Sequence, residues 1–228
     1  MCDGYEFMMD SPYYEEVGAL KRFFQEIKLY IPVVHCEKSI GENISRGGQT
    51  ELIEEIKIMF QKIMVIGCPG SGKSTFSRNL RDITNLPLYY LDMIKHRPDR
   101  TEISSEEFDI KLKDILIKEQ WIIDGNYQRT IETRLKECDM VFLFDLPTEV
   151  CLEGAKSRIG TKREDLPWVE TEKDLKAGFQ QCIEEFSTQV LPTIYQLLEK
   201  YNDKQIIIFK SREEADLYLA MIKQEFVR

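Results

Sequence analysis

Histidine is almost missing from this sequence: His35 and His96 are the only two in 228 residues. Catalysis by a histidine triad, or a metal centre built from several imidazoles, has little material to draw on. The six cysteines, Cys2, Cys36, Cys68, Cys138, Cys151 and Cys182, include no C-x-x-C pair and have no histidines at zinc spacing. They read as reduced, mostly buried thiols. No apolar run approaches the ~18 to 20 residues that cross a bilayer. The longest candidates, Ile63–Ile66 and Ile206–Phe209, have strand length, so no membrane span is expected. The acidic start Met1–Asp10 lacks the basic and apolar stretches of a secretory signal, and a cytoplasmic location is expected. Positive charge is in deficit too: 40 acids against 31 bases give −9, which offers a nucleic-acid backbone no general attraction and disfavours nucleic acid as a partner.

What is present fits a folded chain, with 43% hydrophobic and 31% charged residues. From Lys62 onward short apolar runs alternate with helical patterns, the signature of parallel strands joined by crossover helices. The runs are Ile63–Ile66, Leu88–Leu91, Trp121–Ile123, Met140–Phe144 and Gln205–Phe209. Each is nearly all apolar, so helices should cover both sheet faces. The expectation is a three-layer α/β domain over 61–228, with a doubly wound parallel sheet of about five strands. Helices are expected at about Gly72–Asp82, Ser104–Glu119, Thr130–Lys136, Thr148–Arg158, Glu172–Lys200 and Ser211–Phe226. Ser104 and Glu107 have capping-box spacing, and Pro192 should kink or divide the long fifth pattern. Residues 1–60 read as a helical N-terminal extension, with amphipathic stretches around Phe23–Tyr30 and Leu52–Met59; alternatively Met59 is the natural start.

The strongest motif is Gly67-Cys68-Pro69-Gly70-Ser71-Gly72-Lys73-Ser74-Thr75, which satisfies G-x-x-x-x-G-K-[ST] between a strand and a helix. Its glycines let successive N–H groups turn inward around phosphate oxygens, in front of the positive end of the following helix. ATP and Mg²⁺ are therefore the expected cofactors. Lys73 should reach the β- and γ-phosphates, Ser74 should ligate Mg²⁺, and Thr75 should anchor the helix start. Cys68 reads as a small tolerated loop residue in preference to a redox brake.

Trp121–Ile123 is followed by Asp124-Gly125-Asn126-Tyr127, which puts Asp124 at the C-terminal end of a buried strand, where open α/β sheets bind ligands. Asp124 is the expected second Mg²⁺ partner. Asp92, ending the preceding run, would accept or orient the proton of a hydroxyl acceptor. A phosphorylated acceptor would instead need charge clamps from Arg97, Arg100, Arg129 and Arg134. Asn126 and Tyr127 belong to the same acceptor region, and His96 reads as a polar contact near its mouth. The stretch 156–172, with Arg158, Lys162, Arg163, Gly160 and Pro167, reads as a lid that brings guanidinium groups onto the transferring phosphoryl.

Taken in order, Gly67–Thr75, Leu86-Pro87 with Leu91-Asp92 and Pro98, Trp121–Tyr127 with Arg134, Phe144-Asp145 with Pro147, and Gly160, Arg163 and Asp165 resemble the adenylate-kinase-like P-loop kinases. They resemble more closely the group named topology modulation proteins. The resemblance covers about Lys62 to Leu219. It implies a role for the arginine that follows Asp124-Gly125, with Arg129 as an approximate counterpart, and matches Arg158 to a lid-stem arginine. An earlier lid-stem arginine is replaced by Gly154 or Ala155, and a usual His-Trp pair by Lys95-His96. The implied activity is transfer of the γ-phosphoryl of ATP to a small nucleoside, nucleotide or hydroxylated metabolite, with Lys73, Asp92, Asp124, Arg158 and Arg163 as the catalytic set. Two alternatives stand beside it: a nucleotide-binding regulator with little chemistry, and a kinase of nucleic-acid ends.

Overall fold

The computed structural model describes residues 61–226; the expected N-terminal extension lies outside the described residues. All five apolar runs form strands: β1 (Lys62–Gly67), β2 (Leu88–Tyr90), β3 (Trp121–Asp124), β4 (Met140–Phe144) and β5 (Gln205–Phe209). They make one sheet in the order β2-β3-β1-β4-β5, with every pairing parallel. Every residue of β3 and β4 is buried. Successive strand residues point to opposite faces, so both faces of the sheet centre are covered, which is why these runs do not alternate with polar residues.

The intervening helices are α1 (Lys73–Thr84), α2 (Leu91–Lys95), α3 (Ser105–Leu116), α4 (Ile131–Glu137), α5 (Thr148–Ser157), α6 (Glu172–Asp174), α7 (Gln180–Glu185), α8 (Leu191–Lys200) and α9 (Arg212–Phe226). Ser104 caps α3 as its spacing predicts, its Oγ accepting from the Glu107 N–H at 3.1 Å. The other half of the expected box is not made, because the Glu107 carboxylate turns to Lys111 and Arg97. Pro192 sits in the first turn of α8. The run 172–200 stays helical and widens into π turns at Leu175–Phe179 and Phe186–Val190. The second widening makes room just where the proline ring would crowd the preceding turn.

One aromatic cluster seats the start of the fold on the sheet. Phe76 of α1 meets Phe142 and Phe144 of β4 edge-on, with ring centroids 4.8 and 5.4 Å away, and Phe209 of β5 and Tyr218 of α9 complete the cluster. Such edge-to-face pairs add about 0.5–1.5 kcal/mol each beyond their burial. Because Phe76 lies three residues past Lys73, this packing fixes the entry of α1 against the C-terminal end of β1.

From β1 the chain builds β2 and β3 on one side, then β4 and β5 on the other. The C-terminal end of β1 is therefore the switch point of the sheet, where a crevice opens. Gly67 ends β1 there, and Asp124 ends the neighbouring β3 in parallel register, opposite Val65. No helix among the described residues is long and apolar enough to cross a membrane.

Candidate active site

The loop after β1 is shaped by missing side chains. A Cβ on Gly67 would lie 2.5 Å from the Phe144 carbonyl oxygen, and one on Gly70 would lie 2.1 Å from that of Cys151. Both residues also have positive φ, of 145° and 81°, which glycine adopts without strain. The loop packs down onto β4 and α5 and delivers Lys73 as the first residue of a twelve-residue helix. Helix N-termini of this kind attract anions through unpaired N–H groups and the helix dipole. Inside the loop the Ser71 hydroxyl is buried with no hydrogen-bond partner among the described residues. Cys68 is buried, and its thiol lies 3.9 Å from the Ile183 carbonyl oxygen.

Asp124 lies beside this loop at 3% exposure, and its Oδ1 has no hydrogen-bond partner among the described residues. Burial pushes its carboxyl pKa up to about 6; the charges of Asp92 and Asp165 add to this, while Lys73 and the adjacent Ser74 hydroxyl oppose it. An unsatisfied buried carboxylate next to a hydroxyl is a fitting pair of oxygen ligands for Mg²⁺, which keeps waters and substrate phosphates as its remaining ligands. No cluster of three or more acidic, histidine or cysteine ligands occurs among the described residues.

The turn after β3 is tied to the loop. Asn126 Oδ1 accepts from the Gly67 N–H at 2.9 Å, and its Nδ2 donates to the Gly67 carbonyl at 2.5 Å. Arg134 of α4 is fully buried and donates to the carbonyls of Gly125 at 2.8 Å, Thr130 at 3.3 Å, Tyr127 at 3.4 Å and Asn126. Burial lowers its pKa to about 9, which leaves it charged at neutral pH. This scaffold holds Tyr127 at a positive φ of 35°. From there the phenol donates to Asp92 Oδ1 at 2.9 Å, lies 3.4 Å from His96 Nε2, and stacks its ring on Phe108. Burial and the Asp92 carboxylate raise the Tyr127 pKa, so the phenol stays protonated and can donate. Leu91, expected to close β2, instead opens α2, which places Asp92 in the first turn of a short helix and not at a strand end.

Residues 158–171 cross the other side of the cleft. The Gly160 N–H donates to the Glu170 carbonyl at 2.9 Å and closes the base of this loop. Arg158 Nη2 donates to Glu170 Oε1 at 3.2 Å, and its Nε lies 2.9 Å from Oε2 as a charge contact outside hydrogen-bonding angle. Arg163 reaches Glu170 at 2.9 Å and Asp165 at 3.2 Å. Burial lowers the Arg158 pKa, and the neighbouring Arg163 charge lowers it further, against the opposing charges of Glu170, Asp165 and Asp92. The same loop docks on α1: Asp165 lies 3.5 Å from Arg78, and Glu164 accepts from Arg81 at 3.0 Å and from the Tyr90 hydroxyl at 2.7 Å. Lys73, Ser74, Thr75, Arg158 and Arg163 line one cleft of about 300 Å³.

All four arginines considered for the acceptor, Arg97, Arg100, Arg129 and Arg134, lie outside the residues that line this cleft, as do Asp92, Asp124, Asn126 and Tyr127. Arg100 is paired with Asp174 at 2.5 Å. Arg97 is turned toward Glu107 at 3.5 Å, and Arg129 forms a two-pronged pair with Asp109 at 2.7 and 2.6 Å. Arg134 is spent on backbone carbonyls. Conversely, sequence reasoning missed Arg212, the first residue of α9. Its guanidinium donates to the carbonyls of Gly70 at 2.9 Å, Val150 at 3.1 Å and Ser71 at 3.3 Å, and so ties the phosphate loop to α5. Gly154 of α5 makes room for this: a Cβ there would sit 2.1 Å from the Gly70 oxygen and 2.3 Å from Arg212 Nη2. The available signal was position, since Arg212 follows the C-terminal end of β5, the same sheet edge that carries the crevice. Arg78, five residues after Lys73 on α1, was missed as the anchor for Asp165.

No family model matches the chain, and no curated protein matches it. Among solved structures, shikimate kinase from Acinetobacter baumannii in complex with shikimate is similar over 76% of this chain and 99% of its own, at 15% identity and a TM-score of 0.49. Shikimate kinase from Bacteroides thetaiotaomicron is similar over 71% of this chain and 96% of its own, at 16% identity and a TM-score of 0.46. At TM-scores below 0.5 and these identities, neither likeness bears on the acceptor or the chemistry of this chain.

Proposed function

We propose that this chain is a Mg²⁺- and ATP-dependent phosphotransferase that moves the γ-phosphoryl of ATP to a hydroxyl of a small acceptor. The observation that carries this is a convergence of charged groups beside the phosphate loop. A phosphate-binding loop ending in Lys73 meets a buried, unsatisfied Asp124 beside Ser74, and two arginines arrive from a separate loop. Hydrolysis or transfer of a phosphoryl group needs little covalent help from a protein; it needs positioning and charge stabilisation, which are what these residues can supply.

In this reading Lys73 and the loop N–H groups hold the β- and γ-phosphates, and Ser74 and Asp124 hold Mg²⁺, which neutralises charge on the phosphate oxygens when bound. Arg158 and Arg163 exchange Glu170 for the transferring group and stabilise its charge. Asp92, oriented by the Tyr127 hydroxyl, accepts the acceptor's proton as the new oxygen–phosphorus bond forms and the bond to ADP breaks. Asn126, Arg134 and Arg212 position the loop and the turn. The test is ADP formation from Mg·ATP with and without acceptors, beside a Lys73→Ala protein of unchanged fold; activity that survives in the variant sinks the proposal.

One observation favours a nucleotide-binding regulator as the second reading: Arg158 and Arg163 already have Glu170 and Asp165 as counter-charges, so the cleft is electrostatically satisfied on that side without any turnover. Nucleotide binding that no acceptor converts into ADP release would support it.

A further inference from the structure

We infer that the acceptor carries no anionic group: it is an uncharged or cationic hydroxyl compound, and phosphate esters and carboxylates are rejected. This rests on the phosphotransferase reading of the same site. Recognition of an acceptor phosphate or carboxylate requires a guanidinium or ammonium free to turn its donors inward. Lys95, Arg97, Arg100 and Arg129, which flank Asp92 and Tyr127 in the chain, are each engaged by an acid of their own. Lys95 lies 3.3 Å from Glu102, Arg97 3.5 Å from Glu107, Arg100 2.5 Å from Asp174, and Arg129 uses both prongs of its fork on Asp109. His96 faces Glu102 at 3.7 Å. Lys73, Arg158 and Arg163 lie in the cleft of the phosphate loop, where the donor's own phosphates need them.

The groups left for the acceptor are of the opposite sign. Asp92 is exposed and its carboxylate accepts only the neutral Tyr127 hydroxyl among the described residues, and its charge already disfavours ionisation of both Asp124 and Tyr127. An anion placed against Asp92 meets like charge, and Arg158, the cation whose charge reaches Asp92, lies in the cleft of the phosphate loop, whereas a hydroxyl or an ammonium gains a hydrogen bond. The nearby aromatic surface is of the same character. Tyr127, His96 and Trp168 come together here, with His96 edge-on to the Trp168 ring at 5.3 Å and Arg100 over that ring at 5.4 Å. The Trp168 face takes a cation here, the guanidinium of Arg100.

The experiment uses the full chain and matched acceptor pairs: adenosine with its 5′-monophosphate, glucose with gluconate, and ethanolamine with phosphoethanolamine. Two readouts are taken, kcat/KM for acceptor-dependent ADP formation and calorimetric binding in the presence of Mg·ADP. The expected result is that any pair that reacts or binds favours its non-anionic member by about tenfold or more. Arg97→Ala and Arg129→Ala, which alter residues outside the cleft, are expected to leave that ratio unchanged. Preference for an anionic member, or a selective rise in its KM in either arginine variant, overturns the inference and leaves the kinase reading intact. Binding that favours the non-anionic members with no turnover overturns the kinase reading and leaves the inference standing.

Discussion

Arg134 donates from Nη1 to the Gly125 carbonyl at 2.8 Å and shares its other donors among Asn126, Tyr127 and Thr130. A residue of the type that binds phosphates is thereby converted into the internal support of the turn that carries Asn126 and Tyr127. The Tyr127 carbonyl also accepts from the Thr130 N–H and hydroxyl, so the carbonyls that depend most on Arg134 are those of Gly125 and Asn126, and a buried one left unpaired costs about 1–3 kcal/mol. Arg134→Met is expected to destabilise the fold by about 3–5 kcal/mol. Lysine at this position is expected to recover only part, since one ammonium cannot reach several carbonyls in the fork geometry. A shift of the urea midpoint with unchanged m-value checks this; an undisturbed midpoint excludes the supporting role.

Asp124 links stability to pH in an unusual direction. Its folded pKa is raised from 3.8 to about 6. Between those values the native state holds the proton that the unfolded chain has released, so this group's contribution is full below pH 3.8 and is lost as pH rises through about 6. At pH 7 the ionised carboxylate is a cost, of up to about 3 kcal/mol for two pKa units. Asp124→Asn is therefore expected to raise the ligand-free melting temperature at pH 7 and to narrow that gain at pH 4, while Mg²⁺-dependent ADP formation is lost. A variant that is less stable than the parent at pH 7 contradicts the unpaired-charge picture.

Gly154→Ala tests the packing of Arg212 across the phosphate loop. The added methyl would overlap the Gly70 carbonyl and displace the Arg212 guanidinium. Small-to-large changes in such packed sites cost about 1–3 kcal/mol. The expected outcome is that loss together with weaker ATP binding, and Arg212→Ala should reproduce the weaker binding without the clash. Equal ATP affinity in parent and both variants, measured by calorimetry, removes Arg212 from the support of the loop.

Glu170 holds both Arg158 and Arg163. Glu170→Gln keeps the shape of the side chain and removes the competing charge, so KM for Mg·ATP is expected to fall several-fold. Arg163→Ala is expected to lower kcat by about 10²-fold or more, as loss of a transition-state arginine does. If Glu170→Gln weakens ATP binding instead, the glutamate is a support for the nucleotide and not its competitor.

The sheet and the phosphate loop were legible because they depend on local pattern. Five apolar runs became five strands, and the glycine–lysine–serine spacing placed Lys73 at the start of α1. What could not be read is long-range pairing. Arg129 meets Asp109 twenty residues earlier in the chain, and Arg78 meets Asp165 far later; no propensity or periodicity encodes either contact. The helix α2 escaped notice for a different reason. It is a five-residue helix stopped before Pro98, too short to show a 3.6-residue period, and Leu91 looks like the last residue of an apolar strand. Arg212 lay outside every recognised motif, although its place after β5 put it at the productive edge of the sheet.

The most direct test of phosphoryl transfer is acceptor-stimulated ADP release from Mg·ATP by the purified full chain, run beside Lys73→Ala of matching circular dichroism. The predicted result is stimulation by at least one hydroxylated acceptor in the parent, with the phosphorylated acceptor recovered in equal amount, and background rates in the variant. ADP release that is equal in both proteins, or ATP binding that no acceptor converts into turnover, would contradict it.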